Sequence, residues 1–280
     1  MADDAPRVLH QYKNWILDST RWDDYAPRND DVVIATPYKC GTTWMQLIVG
    51  SLIHQERSIH ETLAERGFGA LSPWVDADGK PIDEVLNTLE AQDHRRFIKT
   101  HLPLDGLTFH EQVKYVVVSR DPRDVFMSLW NHHTNMHSAR EKKAPPSQVD
   151  DIHGFWHDWT TRGYFEWESE GYPYWSNLRH TQTWWDYRHL PNIHFAHFNH
   201  LLADLPGQIR AVANFLDIPV DDGAVERIAH ETTFSTVKQK VADSFPGMGD
   251  GFRGGVQTFF NKGTNGRWRD VLSESEPQLP

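Results

Sequence analysis

Three short stretches of the chain place groups suited to anion chemistry directly after apolar runs. In "VVIATPYKCGTTW", Val32 to Trp44, a β-branched run feeds a tight turn carrying Lys39, Gly41, Thr42 and Thr43, and an apolar helix pattern follows. Gly41 lets backbone amides point inward with no Cβ in the way. The start of the next helix adds a partial positive charge, the threonines add hydroxyls, and Lys39 adds a mobile cation. Such a turn solvates a phosphate; taken alone, it also reads as an ordinary strand-to-helix turn with an exposed lysine. The nucleotide-kinase pattern G-x-x-x-x-G-K-[S/T] does not fit, because there is no first glycine and the lysine precedes Gly41. The turn therefore points to phosphate and away from nucleoside-triphosphate hydrolysis.

The second stretch, "VVVSRDPRDVFMS", sets Arg120 at a strand end and Ser128 two turns into a helix, where a guanidinium fork and a hydroxyl flank one anion. An ion pair of Arg120 with Asp121 or Asp124 is the structural alternative, and Arg123 with Asp124 reads as a solvated pair. The third, "FIKTHLP", presents Lys99 and His101 on one side of a strand. A histidine at the carboxyl end of a central strand serves as a general base near neutral pH, although among 17 His any single one is more often structural. The clusters "NHHTNMH" and "HFAHFNH" have no carboxylate or cysteine at a ligand spacing, so they read as loop or core histidines and no metal site is expected.

These groups need a scaffold that gathers strand ends. Val32–Ala35 and Tyr115–Val118 read as buried strands, "RRFIKTH" as a short strand ending at His101, and "PNIHFAHF" as a returning strand. Met45, Ile48, Val49 and Leu52 lie at helical spacing, Pro122 opens a helix, "GQIRAVANFLDI" is amphipathic, and the Trp- and Tyr-rich residues 154–190 read as helical. Strands alternating with helices predict an α/β fold: one domain over residues 1–280 with a central parallel sheet flanked by helices, P-loop-like. Ligands of such sheets bind at the carboxyl ends of the strands, where the polar turns 36–43, 99–103 and 119–128 fall. The polar, proline-bearing stretch at about 137–152 is expected to be a mobile excursion.

A net charge of -11 argues against a nucleic-acid or anionic-membrane surface, so anion binding must be local. The single cysteine, Cys40, excludes an internal disulfide and suits a reducing compartment. With no basic-then-apolar leader in "MADDAPRVLH" and no long apolar window, a cytoplasmic protein without membrane insertion is expected.

Together the motifs resemble those of the cytosolic-type sulfotransferases, which use 3′-phosphoadenosine 5′-phosphosulfate (PAPS), over about Val32 to Asp270. "TPYKCGTTW" resembles the loop that holds the donor's 5′-phosphosulfate, "KTHLP" the segment with the catalytic histidine, "SRDPRDVFMS" the 3′-phosphate site, and "NKGTNGRW" the Gly-rich second 3′-phosphate segment, in the family's order. The resemblance implies His101 as general base with Lys39 and Lys99 neutralising charge. It implies donor contacts from Cys40, Gly41, Thr42 and Thr43, stacking of the adenine on Trp44, base-pocket roles for Phe198, Thr232 and Phe234, and 3′-phosphate contacts from Arg120, Ser128, Lys262 and Gly263. A segment at about 252–270 would close over the donor, releasing adenosine 3′,5′-bisphosphate (PAP) after transfer, with no metal required. Three positions depart from the pattern: Pro37 and Tyr38 reverse the usual Tyr-Pro order, Cys40 replaces a serine, and Asn261 stands where the family usually has an arginine, which leaves two outcomes open: Arg253, Arg267 or Arg269 compensates, or donor affinity is lower.

The implied acceptor is a small hydroxyl or amine compound, with Trp74, Trp130 and the aromatic stretch Phe155 to Trp175 as candidate pocket walls or, equally, as core. The animal family's dimerisation segment is not recognisable after "TFSTVKQK", which leaves monomer and homodimer both open. Two other functions compete: a P-loop kinase acting on a small metabolite, and a non-catalytic nucleotide-binding protein of the same fold.

Overall fold

The computed structural model describes residues 5–136, 151–244 and 249–273. Most of the excursion expected at about 137–152 lies outside the described residues; its last two, Asp151 and Ile152, already belong to a helix start, where Asp151 accepts from the amides of His153 and Gly154.

Four parallel strands form the sheet: β1 (Val32–Ala35), β2 (Phe97–Thr100), β3 (Lys114–Ser119) and β4 (Ile193–His197), in the spatial order β2-β1-β3-β4. The short β-branched runs suit strands buried on both faces. Alternation along them divides the core in two: Val33 and Ala35 of β1 and Tyr115 and Val117 of β3 face one cluster, Val32, Ile34, Val116 and Val118 the other. On the second face pack α1 (Thr42–Ile53), α2 (Ile59–Arg66), α9 (Leu205–Phe215), α10 (Asp222–Thr232) and α11 (Phe234–Ser244). On the first lie α4 (Ile82–Glu90), α5 (Pro122–Asn135), α6 (Ile152–Thr161) and α7 (Asn177–Asp186). The short helices α3 (Phe68–Leu71), α8 (Phe198–Ala203) and α12 (Val256–Phe259) complete the set among the described residues. The α/β class, the parallel sheet and the helices on both faces agree with the reading of the sequence.

Residues 154–190 are not helical throughout. Helices α6 and α7 are separated by irregular chain from Arg162 to Ser176, because Gly171 adopts φ +108° with the Trp175 backbone against its Cα, and Pro173 cannot continue a helix.

The chain leaves β1 for β2 on one side and leaves β3 for β4 on the other, so the topological switch point lies between β1 and β3. The turns after these strands open side by side there, and the Arg120 guanidinium donates to the Lys39 carbonyl at 3.2 Å. At the opposite end of the sheet a buried pair of Arg96 and Asp31, reinforced by Tyr25 Oη donating to Asp31, ties the strand starts together. No helix among the described residues is long and apolar enough to cross a membrane.

The segment at about 252–270 lies across the strand ends. Asn131 Nδ2 donates to the Thr258 carbonyl at 3.1 Å, Lys238 Nζ to the Asn261 carbonyl at 2.9 Å, and the Gly266 amide to Asp124 Oδ1 at 2.6 Å. These bonds hold the segment against α5 and α11 and make it one wall of a cavity.

Candidate active site

That cavity, about 610 Å³, opens at the switch point. The turn after β1 shapes its floor. Lys39 (φ +68°) and Gly41 (φ +104°) both take left-handed backbone, and Gly41 caps α1 without any side-chain acceptor. The first amides of α1 are thus left without the cap oxygen that Ser, Thr, Asp or Asn would supply. The left-handed backbone at Gly41 favours glycine, and a Cβ there would lie 3.0 Å from the Phe198 ring, a tight contact to which the ring would have to yield. Thr42 Oγ1 lies 2.6 Å from Thr36 Oγ1, which fixes the first residue of the helix against the strand end.

His101 is buried, and its Nδ1 lies 2.8 Å from the Thr36 carbonyl. A carbonyl only accepts, so Nδ1 carries the proton and the lone pair sits on Nε2. Burial first, then the Lys99 charge, hold the imidazole well below its ordinary pKa against the opposing Thr36 carbonyl, so the ring is neutral near pH 7. Lys99 lies with Nζ 4.0 Å from the centre of the Trp74 ring, and that ring meets His101 edge-on at 5.0 Å. Trp74 is held in turn by its Nε1–H donating to buried Asp76 at 2.7 Å, a carboxylate that Trp22 also reaches at 2.9 Å.

Lys39 Nζ lies 3.1 Å from His132 Nδ1, and His132 Nε2 lies 2.8 Å from Tyr38 Oη. Burial first, then Arg120 and Lys99, pull the Lys39 ammonium down to about 7. Clustered cations in a partly dry cleft repel one another until an anion arrives.

The other end of the cavity holds Arg120, Ser128, Asn261, Lys262, Gly263 and Arg267. The Arg120 guanidinium stacks 4.0 Å from the Phe198 ring centre, and its Nε (3.1 Å) and Nη2 (2.6 Å) both donate to Asn265 Oδ1. Trp44 and Phe198 meet edge to face at 5.2 Å, and Phe234 presses on Gly263, which takes φ +65°. Thr232 lines the same end, but its hydroxyl proton is committed to the Ile228 carbonyl at 2.8 Å, so it is available there only as an acceptor.

Lys39, Gly41, Thr42, Thr43, Trp44, Trp74, Lys99 and His101 thus share one cavity with Arg120, Ser128, Phe198, Thr232, Phe234 and the 261–263 segment. Two expected residues lie elsewhere. Trp130 packs on Phe155 at 5.4 Å and is not in the cavity wall. The Cys40 thiol is fully buried toward α7, accepting from Asn177 Nδ2 at 3.4 Å, so only its backbone is available to the turn. Most of the aromatic stretch is core: Phe155, Trp156, Trp159, Tyr174 and Trp175 are all buried. Arg120 makes no ion pair with Asp121 or Asp124. Arg123 pairs with Asp121 at 2.7 Å, while buried Asp124 turns inward to the Gly266 amide, so Arg123 and Asp124 do not form a solvated pair.

His132 and Tyr38 were not expected in the site. His132 lies four residues after Ser128 on α5 and therefore on the same helix face, a spacing already visible in the sequence. Phe252 and Phe259 add an apolar rim beside His132 at 4.5 and 6.3 Å. Among the described residues, no group of three or more His, Cys, Asp or Glu is arranged to hold a metal ion.

Residues 29–277 match the family model described as "Sulfotransferase domain". A glycolipid sulfotransferase of Mycobacterium bovis is 32% identical, over 95% of this chain and 87% of the relative. Sulfotransferase 1A1 of Rattus norvegicus is 26% identical, over 88% of this chain and 80% of the relative. Two solved structures share the fold: retinol dehydratase in complex with androsterone and PAP (TM-score 0.69, 24% identity, covering 92% of this chain and 82% of that one) and mouse sulfotransferase SULT7A1 complexed with PAP (TM-score 0.68, 20% identity, covering 95% and 89%). The turn after β1, the histidine at the end of β2, the arginine at the end of β3 and the glycine-bearing segment that covers them are thus features of a chain that belongs to the sulfotransferase domain family.

Proposed function

We propose that the enzyme moves a sulfuryl group from PAPS to a hydroxyl or amine on a small acceptor with an apolar body, with His101 as general base. The observation that carries this reading is the pinned tautomer of His101. A neutral imidazole with its lone pair on Nε2 lines the same cavity as the Lys39, Lys99 and Arg120 cations.

The residues fit the donor. The uncapped amides of α1, Thr42, Thr43 and Lys39 suit its phosphosulfate, the edge-to-face Trp44 and Phe198 suit its base, and Arg120, Ser128 and Gly263 suit its 3′-phosphate. His101 Nε2 takes the acceptor proton as the acceptor oxygen or nitrogen bonds to sulfur, and the sulfur–oxygen bond to the adenosine phosphate breaks. Lys39 and Lys99 stabilise the negative charge that collects on the transferring and departing oxygens. The cavity is also lined by apolar side chains, Ile16, Tyr38, Trp74, Met136, Phe252 and Phe259 among them. Such walls suit an aromatic, terpenoid or lipid-like body with its nucleophile directed at His101. The mycobacterial relatives' name, glycolipid sulfotransferase, and the androsterone and retinol held by the structural neighbours agree with an acceptor of this character. A kinase reading lacks support, since no lysine follows Gly41.

The test is incubation with radiolabelled PAPS and a panel of phenols, sterols, long-chain alcohols, glycolipids and amines. Sulfated product is expected from the wild type. His101→Ala is expected to lower turnover by about 10²–10⁴-fold, the usual range for general-base assistance, with PAP affinity unchanged. Normal turnover in that variant would reject the role of His101; PAP binding without any product would favour a non-catalytic nucleotide-binding protein.

A further inference from the structure

Asn261 leaves the 3′-phosphate end of the site one guanidinium short of the family pattern, and Arg253, Arg267 and Arg269 are the candidates to replace it. The geometry separates them. Arg269 is exposed and lies with its guanidinium 4.6 Å from the Trp268 ring centre, outside the cavity wall. Arg253 is exposed and also outside the wall; its amide donates to the Asn135 carbonyl at 2.8 Å. Arg267 is half-buried and lines the cavity together with Arg120, Ser128, Asn261, Lys262 and Gly263.

Two further observations point to a ligand at Arg267. Its Nε is buried and has no hydrogen-bond partner among the described residues. Arg donates at five N–H positions and never accepts, so a buried Nε–H without an acceptor is a cost that a small shift of the guanidinium onto an anion in the cavity would remove. The surrounding charge is also unbalanced. Arg267 lies close enough to Arg120 to depress its pKa, and the buried carboxylate that both guanidiniums feel, Asp124, already accepts from the Gly266 amide at 2.6 Å. Arg120 also feels Asp121, but that carboxylate is already paired with Arg123 at 2.7 Å, so Arg120 and Arg267 share Asp124 with a positive excess in a partly desolvated place, and a phosphate dianion relieves it. The Asp124–Gly266 bond also sets the backbone here: Gly266 takes φ +83° and starts the 3-10 turn Arg267–Asp270.

We propose that Arg267 supplies the guanidinium missing at position 261 and binds the 3′-phosphate of the donor beside Arg120 and Ser128. The inference rests on the donor reading above and is tested separately from it. Calorimetry on the full chain compares adenosine 3′,5′-bisphosphate with adenosine 5′-phosphate, which lacks only the 3′ group. The wild type is expected to bind the bisphosphate more tightly. Arg267→Met, which keeps the aliphatic stem, is expected to raise the Kd for the bisphosphate on the order of 10- to 100-fold, the usual worth of one charge-assisted contact. It leaves the Kd for adenosine 5′-phosphate unchanged, which also shows that the variant is folded. Arg269→Met leaves both affinities at the wild-type value. If the wild type binds no bisphosphate, the donor reading itself fails. If it does, the assignment of Arg267 is overturned when Arg267→Met leaves bisphosphate binding intact or weakens both nucleotides alike, or when Arg269→Met shows the selective loss instead.

Discussion

The depressed Lys39 predicts an unusual alkaline limb in the enzyme's pH profile. An ordinary lysine keeps its charge to about pH 10, but burial, Arg120 and Lys99 bring this one to about 7. The sign follows from the proposed role: there the ammonium is the active form, so activity falls as pH rises through the depressed value. With a pKa near 7, the charged fraction is about one half at pH 7, about a tenth at pH 8 and about a hundredth at pH 9. The value of kcat/KM for the donor, which reports the free enzyme, is therefore expected to fall about fivefold from pH 7 to 8 and about tenfold from 8 to 9. Neither His101, Cys40 nor the donor accounts for such a limb. His101 is held well below its ordinary range and stays neutral, Cys40 is pushed up to about 12, and a phosphate's second ionisation near 6 is complete. The profile of kcat itself should break at higher pH, because a bound dianion favours the ammonium and restores its pKa. Lys39→Arg, whatever its absolute rate, should lose the limb, since a guanidinium does not titrate below about pH 12. His132→Phe removes the acceptor 3.1 Å from Nζ and should move the limb to lower pH. A wild-type profile flat between pH 7 and 9, or an unchanged limb in Lys39→Arg, would refute the reasoning.

Two further substitutions probe the supports of the site. Trp74→Leu takes away the ring 4.0 Å from Lys99 Nζ, a contact worth about 0.5–2 kcal/mol; kcat is expected to fall about 2- to 30-fold with PAP affinity unchanged, measured by steady-state kinetics and calorimetry. Gly41→Ala must hold φ near +104° and set a Cβ 3.0 Å from Phe198; left-handed backbone alone costs about 1–2 kcal/mol, so thermal denaturation should show a Tm lower by several degrees and PAP binding should weaken with it.

The sheet was legible because its strands are buried on both faces. "VVIA" and "YVVV" are unbroken apolar runs that tertiary context cannot turn outward, and the turns that follow them hold chemistry because strand ends are where an α/β sheet opens. The region around 154–190 was less legible for the opposite reason. Its tryptophans and tyrosines are dense in every register, so composition masked the break between α6 and α7. The break is decided by two local facts, the left-handed Gly171 and Pro173, that periodicity does not weigh.

Helix geometry separates the two readings of the aromatic residues at the site. Ser128 faces the cavity; Trp130, two residues on, lies about 200° around α5 and turns to Phe155, whereas His132, four residues on, returns to the face of Ser128. Residue type points to the tryptophan, and spacing points to the histidine, which "NHHTNMH" taken alone presents as a loop or core residue. The same asymmetry governs the covering segment. Its glycines mark where the backbone must turn and so are readable in "NKGTNGRW", but nothing in the order of Arg253, Arg267 and Arg269 tells which one faces inward. That choice depends on a bond between distant residues, Asp124 on α5 holding the Gly266 amide, which turns the next side chain toward Arg120. A motif read along the chain records which groups a ligand needs; which copy of a repeated residue type meets the need is fixed by contacts between segments far apart in sequence.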